Sequence, residues 1–261
     1  MHRFYTEERI AAAGQLITLS REESQHAARV LRLRPGEEVR LLDGGALWAA
    51  TLETVDEKAA QVRVTAECPS PESKTHVTLW QGLPKADKLE WIVQKATELG
   101  AWELWPVEME RSVARAGKAE RGQKRCERLE RIALEAAKQS GRAHVTRIWE
   151  PCAFAAALER TQAEKPDLLL VAWEEEHALP LSRAVAEFVR ERGVPRRVTV
   201  VIGPEGGISP GEQARLKEAG DFTRATRLID EALEAGTTPE NGNRRVVRHE
   251  RAVGRAGRNV R

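Results

Sequence analysis

The sequence is poor in cysteine and has no long hydrophobic stretch. Its three cysteines, Cys68, Cys126 and Cys152, lie far apart among 261 residues, so they predict neither a disulfide framework nor a metal site. No apolar run approaches the roughly 18 residues that cross a bilayer, and the start, MHRFYTEERI, lacks the apolar core of a signal peptide. We therefore expect a protein of the reducing cytoplasm with no membrane partner and no metal.

Charge of neither sign predominates. Lys and Arg number 42 and Asp and Glu 40, which gives a net charge of +2. The overall charge therefore does not indicate a nucleic-acid partner, and local patches have to be weighed instead. The motifs GxGxxG and GxxxxGKS/T are both missing, which disfavours a nucleotide-binding oxidoreductase or a phosphate-loop enzyme.

Residues 1–70 predict a small antiparallel β-barrel. Two apolar runs, 39–44 and 46–55, flank a hairpin turn at Asp43-Gly44-Gly45, and residues 61–68 alternate like a half-buried strand. Ser20 and Glu23 have the spacing of a capping box, so a short helix is expected there. The segment PSPES at 69–73 is typical of a linker.

Strands and helices alternate after the linker, which predicts a parallel sheet covered on both faces. We place this second domain at residues 74–227. Its predicted strands are 76–83, 104–109, 144–149, 167–173 and 197–203, and its predicted helices are 85–100, 119–140, 152–162, 180–192 and 210–219.

The stretch VIGPEGGISPGE, residues 201–212, ends the last predicted strand in a glycine-rich turn. Ligands of open parallel sheets bind beyond the carboxyl ends of the strands, and glycines let the backbone approach a ligand closely. Ser209 and Pro210 suit the start of a helix. By pattern alone, a binding loop and an ordinary tight turn are about equally favoured.

Charged and polar residues also lie at helical spacing on two predicted helices. Trp91, Lys95 and Glu98 form one stripe, and Glu135, Gln139 and Arg142 form another. Taken by themselves, both stripes are better explained as solvated helix faces with paired charges than as a functional site. Basic residues that could hold phosphates, or only aid solubility, cluster near predicted strand ends and in the barrel: Arg29, Arg32, Arg34, Lys85, Lys88, Arg111 and Arg115.

Taken together, these segments resemble the RsmE family, the SPOUT-class methyltransferases that methylate N3 of a uridine in 16S ribosomal RNA. The resemblance covers residues 1 to about 222. It rests on MHRFY (1–5), HAARVLRLRPGEEVRLLDG (26–44), LPKADKLEWIVQKATELG (83–100), ERSV (110–113), RLERIALEAAKQSGR (128–142), DLLLVAWEEE (167–176) and VIGPEGGISPGE (201–212).

The resemblance implies an α/β fold: a SPOUT-type parallel sheet with a C-terminal trefoil knot, preceded by a small PUA-like β-barrel. It implies S-adenosylmethionine as methyl donor, 16S RNA or the small ribosomal subunit as partner, and a homodimer. The implied cofactor pocket is Leu170, Ile202, Gly203, Pro204, Glu205, Gly206, Gly207 and Ile208. The implied RNA contacts are Arg3, His26, Arg29 and Arg32 on the barrel, and Lys85, Lys88, Glu98, Arg111, Gln139 and Arg142 on the substrate side of the sheet. No catalytic base can be named.

The segment 228–261 departs from the family pattern. The motif LGxRILRTETA, which closes the knot in the family, is not found, and the tail is rich in arginine and poor in bulky apolar residues. Reading suitable codons for residues 234–244 from their second nucleotide gives KLGRRLKTETA, so we hypothesise a frameshifted, disordered tail. A natural basic tail is the alternative for the segment, and an impaired member that only binds RNA is the alternative for the function.

Overall fold

The computed structural model describes residues 1–85, 88–115, 119–173, 180–218 and 222–226. The predictions about the tail, 228–261, and about the knot that it would close therefore lie outside the described residues. Two sheets make up the described chain, one on each side of the predicted linker.

The first sheet has five strands in the order β1-β3-β4-β5-β2 and agrees with the predicted β domain. Its pairings are antiparallel except that β1 runs parallel to β3, and neither β1 nor β2 was predicted, because each has only three residues. The strands are β1 (Arg3–Tyr5), β2 (Leu16–Thr18), β3 (Glu38–Leu42), β4 (Leu47–Thr54) and β5 (Gln61–Glu67).

Local side chains fix the turn and the helix of this domain as predicted. The hydroxyl of Ser20 accepts the backbone N–H of Glu23 at 3.2 Å and starts helix α1 (Arg21–Gln25). In the β3–β4 hairpin, the Asp43 carboxylate accepts the N–H groups of Gly45 and Ala46 at 3.0 and 2.7 Å. The hairpin register is thus held by the residue that begins the turn.

The second sheet is parallel and has the path β12-β10-β11-β6-β7-β8, with β9 paired to β7. Helices flank it, as predicted from the continuous apolar strands. The strands are β6 (His76–Gly82), β7 (Glu103–Glu108), β8 (Arg147–Ile148), β9 (Cys152–Ala153), β10 (Leu168–Trp173), β11 (Arg197–Ile202) and β12 (Phe222–Thr226); the helices are α2 (Lys88–Leu99), α3 (Ala119–Ser140), α4 (Phe154–Glu164), α5 (Leu181–Arg192) and α6 (Pro210–Glu218).

Some details of this domain differ from the prediction. The two-residue strand β9 pairs with β7 where a helix was predicted to begin at residue 152. Strand β12, whose sequence FTRAT has no continuous apolar run, pairs with β10 and extends the sheet by one strand. Leu99, an apolar residue of the predicted helix 85–100, is 77% exposed, because it lies to one side of the buried stripe of Leu89, Val93, Ala96 and Thr97. In the described part of the chain, no helix is long and apolar enough to cross a membrane.

A buried ion pair joins the two domains. The ammonium of Lys138, on α3, lies 2.8 Å from Glu23 of the first domain, and both side chains are over 90% buried. Burial lowers the pKa of Lys138, but its hydrogen bonds to Glu23 and Glu135 outweigh burial and raise that pKa. The Arg3 guanidinium adds hydrogen bonds to two backbone carbonyls of α3.

We expect Lys138→Met to lower the free energy of unfolding by about 3 kcal/mol, because it leaves the Glu23 carboxylate buried without its cation. Lys124→Met, at an exposed position of the same helix, is the control and should change it by less than about 0.5 kcal/mol. Urea unfolding of both variants measures the difference. Equal stabilities would show that the pair does not hold the domains together.

A stack of three rings lies where the parallel strands begin. The indole of Trp102 lies between the imidazoles of His76 and His144, with centroid distances of 3.7 and 3.6 Å. Burial lowers the pKa of His144, although its hydrogen bond to the Trp102 carbonyl and the nearby Glu72 oppose this. His144 is therefore neutral in the folded protein at neutral pH.

Since the unfolded chain binds a proton at His144 more readily, stability should fall as the pH drops below about 6.5, the ordinary histidine pKa. We expect His144→Phe, which keeps a ring in the stack, to flatten this decline between pH 7 and 5. The measurement is urea unfolding across that range, with the exposed His2→Gln as control. An unchanged slope in His144→Phe would assign the decline to other groups.

Candidate active site

The glycine loop that follows β11, residues 203–207, packs against the end of β6 with no room for side chains. A Cβ on Gly82, the last residue of β6, would lie 2.5 Å from both the ring nitrogen and Cδ of Pro204. A Cβ on Gly203 would lie 2.9 Å from the carbonyl carbon of Gly207. Gly207 itself has φ of +73° and donates its N–H to the Pro204 carbonyl at 2.9 Å. The loop therefore has one tight backbone path.

Glu205 of this loop is bound by the segment that follows β6. Its carboxylate accepts the ammonium of Lys88 at 2.8 Å and the backbone N–H of Lys85 at 3.1 Å. The hydrogen bond from Lys88 is the main reason that the pKa of Glu205 falls to about 2. Glu205 is thus ionised at neutral pH and holds the start of α2 next to the glycine loop.

The segment that follows β7 is tied to the same loop. Arg111 donates to the carbonyl of Gly206 at 3.1 Å. The buried carboxylate of Glu212, in the first turn of α6, accepts the N–H groups of Glu110 at 2.7 Å and Ser209 at 3.1 Å. The Ser209 hydroxyl donates to Glu110 at 2.6 Å. These contacts fix the position of Arg111, whose exposed guanidinium lies at the rim of the glycine loop.

The carboxyl ends of β6, β7 and β11 thus meet in one site. It contains the predicted residues Gly203, Pro204, Glu205, Gly206, Gly207, Lys85, Lys88 and Arg111. Ile202 is the last residue of β11, and Ile208 is buried in the apolar cluster beneath the loop.

Leu170, which the resemblance implies as part of the cofactor pocket, does not lie at a strand end. It is the third residue of β10, and it is 3% exposed in an apolar cluster with residues of α5. The carboxyl end of β10 is Trp173, and residues 174–179 lie outside the described chain. The alternation of side chains along β10 directs Leu170 into the core.

Glu98 and Arg142 were expected on the substrate side of the sheet, and this placement is wrong. Arg142 donates two hydrogen bonds to the Glu98 carbonyl, at 3.0 and 2.8 Å, where α2 ends before β7 begins. In a strand–helix–strand unit that end of the helix lies at the amino ends of the strands. Gln139 is exposed near the end of α3. Glu98, Gln139 and Arg142 therefore lie at the opposite edge of the sheet from Lys85 and Arg111.

The predicted RNA contacts of the first domain are separated in the structure. Arg3 is engaged with α3 as described above, and His26 packs edge-on against Phe4 at 6.2 Å. Arg29 and Arg32 are exposed, and Arg29 forms an ion pair with Glu57. Of the four, Arg29 and Arg32 are the cations that face solvent.

Sequence reasoning missed Gly82, Glu110 and Glu212. The spacing of Ser209 and Glu212 is that of a capping box, and the structure forms it: the Glu212 N–H donates to the Ser209 hydroxyl at 3.3 Å. That signal was available, whereas the contacts of Gly82 and Glu110 depend on how distant segments pack.

Two family models match the chain. One, described as an RNA methyltransferase domain, matches residues 71–239, and the other, an RNA methyltransferase PUA domain, matches residues 19–65. The chain belongs to the RNA methyltransferase family. The match to the first model reaches residue 239, so the similarity extends further than residue 222, the limit set in the sequence analysis.

Proteins named ribosomal RNA small subunit methyltransferase E are similar to this RNA methyltransferase over most of their length. The relative from Bacillus subtilis is 33% identical over 208 residues, 79% of this chain and 80% of its own. The relative from Mycobacterium bovis is 32% identical over 86% of this chain and 83% of its own. A crystal structure of the Neisseria gonorrhoeae enzyme bound to S-adenosyl methionine is 28% identical, with a TM-score of 0.73 over 87% of this chain and 89% of that one.

Proposed function

We propose that this protein transfers a methyl group from S-adenosylmethionine to N3 of a uridine in the 16S RNA of the small ribosomal subunit, in the cytoplasm. The observation that carries the proposal is the glycine loop, which packs tightly against the end of β6 at the carboxyl edge of the sheet and has Arg111 at its rim. A first domain that matches an RNA methyltransferase PUA model supports RNA as the partner. The names of the similar proteins support the small-subunit substrate.

The site suits a bulky methyl donor held mainly by the backbone. Residues 203–207 include three glycines. The Glu205 carboxylate is hydrogen-bonded to Lys88 and is therefore not needed to bind a ligand. Gly206 is exposed, and backbone groups of the loop other than the Gly206 carbonyl and the groups of the Gly207–Pro204 hydrogen bond would bind the adenine, ribose and carboxylate groups. Bound S-adenosylmethionine would supply an electrophilic methyl group, so the protein has chiefly to align donor and acceptor.

Arg111 is the residue best placed to act on the acceptor. The uracil N3–H must lose a proton, and the resulting negative charge spreads onto the ring oxygens. One nitrogen of the Arg111 guanidinium binds the Gly206 carbonyl, and the others remain to stabilise that charge. We propose RNA contacts at Lys85 and Lys88 beside it, and at Arg29 and Arg32 of the first domain.

We expect Arg111→Ala to lower turnover about a hundredfold, the usual cost of removing one donor that stabilises transition-state charge. Donor affinity should change less than about threefold, since Glu205 and Glu212 still hold the loop. Arg115→Ala, which removes an ion pair with Glu108 nearby, is the control. Single-turnover kinetics and calorimetry separate the two effects, and equal losses in both variants would rule out the assigned role.

The test of the function is methylation of purified small subunits, and separately of protein-free 16S RNA, with radiolabelled donor. We expect one labelled nucleoside, 3-methyluridine, identified by mass spectrometry after digestion. Label on another nucleoside, or on another atom of uridine, would contradict the proposal.

We also propose that the protein works as a homodimer. Helix α2 exposes Trp91 (52%) and Leu99 (77%), and apolar surface of this kind is suited to a contact with a second copy. Light scattering should give twice the chain mass of 29.1 kDa. Trp91→Glu should shift it to the monomer, and a monomeric parent would contradict the proposal.

We propose finally that the domains are residues 1–70 and 74–227, and that the tail, 228–261, carries a frame slip near residue 234. The gene should encode an LGxR…TETA-like stretch in the shifted frame. A protein with the frame restored should bind the donor at least about tenfold more tightly, an effect of about 1.4 kcal/mol. A nucleotide sequence without that stretch would remove the hypothesis and leave a natural tail.

A further inference from the structure

An acidic cleft lies between the first domain and helix α3, away from the glycine loop. It has a volume of about 580 Å³, within the range of about 300–1,000 Å³ that is usual for ligand sites. Its charged lining consists of Glu7, Glu8, Glu22, Glu23, Glu135 and Arg131. Five carboxylates therefore line the cleft beside one guanidinium, and the Lys138 ammonium pairs with two of them, Glu23 at 2.8 Å and Glu135 at 3.0 Å. Glu7, Glu8 and Glu22 remain as the excess negative charge.

The cleft contains a buried carboxylate with unused hydrogen-bonding capacity. The side chain of Glu23 is 8% exposed. Its Oε1 accepts hydrogen bonds from the Lys138 ammonium at 2.8 Å and from the Tyr5 N–H at 3.3 Å. Its Oε2 accepts no hydrogen bond from the described residues. An orphaned oxygen of a buried carboxylate is costly unless a donor reaches it.

Other carboxylates around it are also available. Among the described residues, the side chains of Glu7 and Glu22 form no hydrogen bond or ion pair, and both residues are exposed at the mouth of the cleft. Glu8, by contrast, accepts Gln15 at 2.8 Å. No group of side chains that could hold a metal ion occurs in the described part of the chain. An organic cation is the class of ligand that suits the excess of carboxylates.

The charge of the cleft also excludes RNA, because phosphates would be repelled by the carboxylates. A guanidinium fits best, because it can bind a carboxylate through two parallel hydrogen bonds and stack on an aromatic ring. Tyr5 supplies such a ring in the lining.

We propose that this cleft binds an arginine-bearing segment of a basic protein. Proteins that coat RNA carry such segments because they neutralise phosphates. The choice of an RNA-coating protein as the source of the segment rests on the proposed function. The binding of an arginine-bearing segment by the cleft does not. Docking of a protein segment here would hold the methyltransferase beside RNA that is already covered by protein.

The test uses the full chain and a fluorescein-labelled peptide of alternating arginine and glycine, without RNA, so that its result is independent of methylation. Two exposed charges together are worth about 1 kcal/mol, so Glu7→Gln/Glu22→Gln should weaken peptide binding about fivefold. Glu67→Gln/Glu159→Gln changes the net charge equally at exposed positions outside the cleft and should change binding less than about twofold.

Arg131→Glu should strengthen binding, because it removes the cation that competes with the peptide and adds a carboxylate. Fluorescence anisotropy at low and physiological salt gives the dissociation constants, and thermal unfolding confirms that the variants fold. Equal binding by the two double variants would overturn the inference, as would a parent protein that does not bind the peptide.

Discussion

Gly82→Ala should weaken the binding of S-adenosylmethionine and lower turnover about a hundredfold, the cost of roughly an ångström of misplacement at a reacting site. The added methyl group would meet the backbone nitrogen of Pro204 at 2.5 Å and the carbonyl carbon of Gly203 at 2.8 Å. Backbone atoms cannot rotate away, so the whole glycine loop must shift. The free energy of unfolding should fall by about 1–3 kcal/mol, as for other overpacked positions.

Gly211→Ala is the matched control. It lies in the first turn of α6, a few residues beyond the loop, and a Cβ there meets nothing within 4 Å. Stability should hold or rise by up to about 1 kcal/mol, because alanine favours the helix, and donor affinity should not change. Calorimetric titration of both variants with S-adenosylmethionine measures the affinities. Normal affinity in Gly82→Ala would mean that donor binding does not depend on the contact between Gly82 and Pro204.

Glu212→Ala should lower both stability and turnover. It leaves the N–H groups of Ser209, which is buried, and of Glu110, which is exposed, without their acceptor; the unpaired buried group alone costs about 1–3 kcal/mol. Without the shared carboxylate, the segment that follows β7 can move relative to the glycine loop, and Arg111 moves with it. We expect the free energy of unfolding to fall by about 3 kcal/mol and turnover to fall about a hundredfold.

A graded pair of variants separates the positioning of Arg111 from a general loss of fold. Glu212→Gln keeps one oxygen acceptor, so its turnover should lie between those of the parent and the alanine variant. Glu218→Ala, at the exposed end of the same helix, should be neutral. Turnover that stays normal in Glu212→Ala at a temperature where the variant is folded would show that Arg111 is positioned by other contacts.

The fold was predictable from the sequence to the extent that local chemistry decides it. A few neighbouring residues determine the start of helix α1, at Ser20 and Glu23, and the hairpin turn at Asp43-Gly44-Gly45. The long apolar strands also predicted a parallel sheet. The three-residue strands β1 and β2, and β12 with its mixed sequence, form because partners distant in sequence pair with them, and a short window cannot register that pairing.

The same distinction separates the predicted site residues that the structure brings together from those that it does not. The glycine loop was identifiable because its glycines are contiguous. Leu170, Glu98 and Arg142 were placed through the family resemblance and helical spacing, and neither shows at which edge of the sheet a residue will lie. The role of Gly82 appears only when two strand ends meet, since nothing in the run HVTLWQG distinguishes a tight contact from flexibility.

The junction of Lys138 with Glu23, reinforced by Arg3, has a consequence for target choice. With the first domain binding RNA as proposed, these contacts set the distance between the bound RNA and the glycine loop. A substrate in which that distance is lengthened by one inserted nucleotide should then be bound but not methylated.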